Sequence, residues 1–151
     1  MDQTELAYCG LYCGLCASRR RIPQQARTLR ETLQKEGYHM GYYDIPGLDK
    51  VFAEFWEGLN RLAESPCPGC QAGGGNPGCE IRACAIERGV SACPFCPDYP
   101  CGRLDALQGY PTLLADGQRM QLVGLEAWIA EQEARAAAGF AYTDVRLPPP
   151  P

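Results

Sequence analysis

Ten cysteines set the chemistry open to this chain of 151 residues. The first three form Cys9-Gly10-Leu11-Tyr12-Cys13-Gly14-Leu15-Cys16, a C-x3-C-x2-C array. Glycines after Cys9 and Cys13 allow the backbone to fold tightly enough for several sulfurs to face one centre. The other seven are Cys67-Pro68-Gly69-Cys70, Cys79, Cys84, Cys93-Pro94-Phe95-Cys96 and Cys101. A C-x2-C knuckle places two thiolates on one turn, where they can share a tetrahedral ion at about 2.3 Å from each sulfur. The knuckles Cys67/Cys70 and Cys93/Cys96 are separated by the 22 residues 71–92, close to zinc-ribbon spacing.

All ten cysteines are therefore candidate metal ligands, with Zn2+ as the expected ion because four thiolates hold it in a closed, inert geometry. The alternative is a 4Fe-4S cluster on Cys9, Cys13 and Cys16, with a redox or enzymatic role. It also takes four thiolates, and prolines follow Cys67, Cys93 and Cys96 as in ferredoxin segments. The spacing favours one ion on Cys67, Cys70, Cys93 and Cys96. A second would take Cys9, Cys13, Cys16 and a downstream thiolate such as Cys101. Cys79 and Cys84 are left over, five apart and off a common helix face. The first array also occurs in radical enzymes that bind a 4Fe-4S cluster with S-adenosylmethionine, but those rest on a large α/β barrel that needs a longer chain.

Other chemistry has less support. Arg82 and Arg88 could lower the pKa of Cys79 or Cys84 and make a reactive thiolate, although a ligand or a buried sulfur is the plainer reading. His39 is the single histidine and reads as a loop residue. Asp98, Asp105 and Glu80 form no recognisable acid–base pair, so the sequence leaves open whether the protein is an enzyme.

The surroundings fit this chemistry. With 46% hydrophobic and 21% charged residues the chain is globular. A net charge of −4 argues against general nucleic-acid binding. Arg19-Arg20-Arg21 is a local basic cluster, read as solvated surface. No secretory leader follows Met1-Asp2-Gln3-Thr4-Glu5, and no apolar run reaches the roughly 18 residues of a membrane span. A cytoplasmic location is expected, where thiols stay reduced.

The elements that must position the cysteines read as mostly α: a small helical domain, 1–151, with an irregular, loop-rich Cys-metal segment. Residues 1–21 carry the first cysteine group, 22–65 helices, 66–101 the metal segment, 102–147 C-terminal helices and a returning tail, and 148–151 an extended proline run. One helix with Pro23 in its first turn stops at Gly37. Another opens at Pro46, with a broad apolar face of Leu48, Val51, Phe52, Phe55, Trp56, Leu59 and Leu62. Later come short helices broken near Pro111, a turn at Ala115-Asp116-Gly117, and a helix ending at Gly139.

In this combination the chain resembles the cysteine-rich prokaryotic family known as domain of unknown function 3795. The matching pieces are Tyr8–Cys16, Cys67–Cys70, Cys79-Glu80-Ile81-Arg82-Ala83-Cys84-Ala85, Cys93–Cys101, Gly124-Leu125-Glu126-Ala127-Trp128 and Gly139–Arg146. The resemblance implies a metal-binding protein without assigning a role. Some relatives have a further cysteine where this chain has Gly75-Asn76-Pro77-Gly78. Together these readings describe an intracellular module whose metal sites organise a face for a protein or small-molecule partner.

Overall fold

The computed structural model describes residues 5–148. The readings of Met1–Thr4 and of prolines 149–151 fall outside that range. Among the described residues five α-helices form: α1 Arg21–Lys35, α2 Phe52–Glu64, α3 Glu80–Glu87, α4 Leu113–Val123 and α5 Leu125–Ala137. Short 3-10 turns connect them, and the one extended pairing found there is an antiparallel bridge between Leu6 and Tyr12. The chain is mostly α, as its periodicity predicts.

Two compact units are formed, Ser18–Pro66 and a larger one of Met1–Ala17 with Cys67–Pro151. All ten cysteines belong to the larger unit. In the smaller one α1 packs on α2 through Ala26, Leu59 and Ala63, with Leu33 and Trp56 against them. Arg27 donates to the Ala63 carbonyl at 2.9 Å, and Arg30 donates to Asn60 Oδ1 at 3.1 Å. Helix α1 stops as predicted, with Gly37 left-handed at φ 78°. The apolar face of α2 is narrower than its sequence suggests, because Val51, Phe55 and Leu62 are exposed. Phe52 instead anchors a group of rings with Tyr38, Tyr43, Phe55 and Trp56. The helix also begins at Phe52, not near Pro46, because left-handed Gly47 and the 3-10 turn Leu48–Lys50 intervene.

The core of the larger unit gathers Leu6, Tyr12, Leu15, Ala92, Met120, Trp128, Ile129 and Tyr142. Trp128 meets the Tyr12 ring edge-on at 6.1 Å. The predicted turn at Ala115-Asp116-Gly117 lies instead inside α4, where Asp116 accepts a hydrogen bond from Arg135 of α5 at 3.1 Å. Tertiary pairing overrides the turn propensity of Asp-Gly there. The real break is Gly124, at φ 83° between α4 and α5.

The tail returns to the body as expected. Tyr142 is buried, and its hydroxyl accepts a hydrogen bond from the Tyr12 backbone N–H at 3.0 Å. This bond fixes the start of the first cysteine array from 130 residues away. Tyr142→Phe removes this bond and should cost about 1 kcal/mol, read from the denaturant midpoint. An unchanged midpoint would show that the bond contributes nothing.

Candidate metal centre

All ten cysteines are free thiols, and only Cys13 is fully buried, the rest being half-buried. Backbone and side-chain bonds interlock the separate groups. The Cys93 N–H donates to the Tyr8 carbonyl at 2.7 Å, which lays the first array against the last. Gly10 completes this contact. Its φ of +96° is left-handed, and a Cβ there would stand 2.9 Å from Pro94 Cγ. On the other side the Cys70 N–H donates to Cys13 Sγ at 3.4 Å, and Gln71 Nε2 donates to the Leu6 carbonyl at 3.0 Å.

The result is two thiol-lined cavities. One, of about 140 Å³, is lined by Cys13, Cys16, Cys67, Cys70 and Cys79, with Leu11, Tyr12, Tyr110 and Tyr142 as apolar walls. The other, of about 160 Å³, is lined by Cys84, Cys93, Cys96 and Cys101, with Ile81, Val90 and Tyr99. Cys9 lines neither and packs with Cys79 and Cys93 against the apolar group Ile81, Leu104 and Leu113.

This arrangement differs from the grouping read from spacing. Cys67/Cys70 and Cys93/Cys96 face different cavities, and Cys101 joins Cys93 instead of the first array. Helix α3 explains the change. Cys79 is its N-cap residue and Cys84 lies within it, so the helix hands one cysteine to each cavity. Among the described residues, no three histidine, cysteine, aspartate or glutamate side chains converge tightly enough to hold one metal ion. The thiols surround spaces instead of meeting at points.

The arginines act on loops and on sulfur. Arg82 donates to the carbonyls of Gly74 and Asn76 at 2.8 Å each, and to those of Cys70 and Pro77 at 3.4 Å each. It thereby clips the loop that carries Cys70 to Cys79. Gly74 is tightly seated in this loop, since a Cβ there would come within 2.6 Å of Cys67 Sγ. Arg88 donates to Cys96 Sγ at 3.4 Å and pairs with Asp98. The Asp98 carboxylate and then the Cys96 sulfur hold its guanidinium protonated still more firmly than usual. Glu80 stands 3.9 Å from Arg103. His39 stacks on Trp56 within the smaller unit.

Without metal the deeper thiols are held neutral. Burial is the main cause, with neighbouring cysteines adding to it, and it raises Cys9 from 9.0 to about 12 and Cys13 and Cys93 to about 11. Sequence reasoning missed the tyrosine walls and the contact between Arg88 and sulfur. The only available hint was position, since Tyr12 precedes Cys13 and Tyr99 lies between Cys96 and Cys101.

A helical frame carrying interlocked, thiol-lined cavities defines a cysteine-rich protein with a loop-built centre. The chain belongs to the family described as "Protein of unknown function (DUF3795)", which matches residues 5–106. That span covers every cysteine, as the resemblance in sequence implied. No curated relative and no solved structure matches the chain.

Two predictions follow from the geometry of the cavities. The raised thiols keep protons in the folded metal-free chain that the unfolded chain gives up above pH 9.0. Stability of reduced, metal-free protein should therefore be fully present below pH 9 and fall as pH rises toward 12; urea midpoints that rise over this interval would contradict it. Arg82→Ala should raise hydrogen exchange across residues 70–79 while leaving α5 protected, and unaltered exchange would remove the clip.

Proposed function

We propose that this protein binds metal through cysteine thiolates, and that the metal centres are part of its fold. The observation that carries this reading is the gathering of nine cysteines, from three separated stretches of chain, around two cavities. Thiolate is the preferred donor for zinc and for iron–sulfur clusters. The hydrogen bonds from Cys70 N–H to Cys13 Sγ and from Arg88 to Cys96 Sγ support the same reading, because N–H donors stabilise bound thiolates.

The segment from Cys67 to Cys101 needs such centres. Its one α-helix is the eight residues of α3, of which Ile81 and Ala85 are buried. Metal binding in small domains contributes folding energy directly, about 10–16 kcal/mol in isolated zinc peptides. Zinc is the ion that the C-x2-C knuckles favour from sequence; the width of the cavities favours clusters and is developed below. The protein works in the cytoplasm, where thiols remain reduced, and the metal-organised loops form its working face toward a partner. No helix among the described residues is long and apolar enough to cross a membrane.

Removal of metal by a strong chelator under reducing, oxygen-free conditions should expose residues 67–101 to protease while α1 and α2 stay protected. It should also release bound metal at two or more equivalents per chain. Identical cleavage before and after chelation would refute the structural role.

A further inference from the structure

The thiolate-metal reading leaves the kind of centre open, and the inference here rests on that reading. A tetrahedral zinc ion with sulfurs at about 2.3 Å holds them only about 3.8 Å apart, in mutual contact, so no free volume remains between them. The two cavities are different. They are partly open clefts of about 140 and 160 Å³, and a space of about 150 Å³ holds a body the size of benzene.

The geometry points to two polynuclear iron–sulfur clusters, one in each cavity, as the resident centres. A cubane cluster stands between its four cysteine sulfurs and keeps them apart, which fits thiols lining a half-open cleft. Cys84, Cys93, Cys96 and Cys101 supply a full set for one cluster. The other draws four ligands from Cys13, Cys16, Cys67, Cys70 and Cys79, leaving one thiol in reserve. Cys9, outside both linings, is not a ligand. Apolar residues cover part of each space, with Arg82 at one and Arg88 and Asp98 at the other, and the N–H donors on Cys13 and Cys96 sulfur are the contacts that set cluster potentials.

The test is the composition of full-length protein purified without oxygen from iron-replete cells, or rebuilt with ferrous iron and sulfide. About eight irons and eight acid-labile sulfides per chain are expected, with a broad visible absorption band. Colourless protein with stoichiometric zinc and no labile sulfide would overturn the cluster assignment and leave the thiolate-metal reading standing. Protein that takes up neither metal would overturn both.

Cys96→Ser should lose half of the iron and keep the other half, whereas Cys9→Ser should keep all of it. Loss of all iron in Cys96→Ser, or none, would contradict the division between cavities. Should the cysteine variants fail to fold, the wild-type stoichiometry decides. Arg88→Ala, which leaves every ligand in place, should lower the reduction potential of one cluster only by removing a donor and a positive charge; two unshifted potentials would refute that contact's role.

Discussion

The larger unit depends on one constraint: its thiols must be gathered before its loops can have a shape. Residues 5–17 and 67–107 contain little regular structure beyond α3, although Leu6, Tyr12, Leu15 and Ala92 reach the core. The contacts that order these segments run between cysteine groups: Tyr8 to Cys93, Cys13 to Cys70, and Gly10 against Pro94. Helices α4 and α5 provide the platform. Gln121 of α4 donates to the Pro94 carbonyl at 2.7 Å, and Trp128 of α5 buries the Tyr12 ring beside Cys13. Without bound metal the same packing keeps buried thiols protonated. A metal bound by these thiols would have to displace protons, so its affinity would rise with pH.

The two cavities share a design although different cysteines build them. Each sets sulfur against tyrosine: Tyr12, Tyr110 and Tyr142 at one, Tyr99 at the other. Each has an arginine nearby with a distinct task. Arg82 ties carbonyls so that the loop through Gly74 can wrap Cys67, and Arg88 reaches sulfur directly while Asp98 balances its charge. A lysine could not replace Arg82 easily, because only the planar fork presents donors to several carbonyls at once.

Much of the architecture was legible in the sequence where local rules govern. The mostly helical class, the stop of α1 at Gly37, the break near Pro111, the end of α5 at Gly139 and the returning tail all follow from periodicity and glycine placement. The family could likewise be read from the cysteine blocks. Tertiary competition hid the rest. Asp116-Gly117 reads as a turn until Arg135 is placed opposite Asp116. The predicted face of α2 leaves Val51, Phe55 and Leu62 exposed, while Phe52 is buried among rings. At the site, spacing grouped the two knuckles together, whereas they line different cavities, because the division depends on α3, capped by Cys79.

The account stands or falls on sulfur from distant stretches of chain surrounding shared metal. X-ray absorption at the iron and zinc edges of anaerobically isolated protein addresses this most directly. The account predicts a first shell made of sulfur alone, at about 2.3 Å, with iron scattering from iron just beyond it. A first shell of oxygen and nitrogen, or protein isolated without metal and with all ten thiols freely reactive, would contradict it.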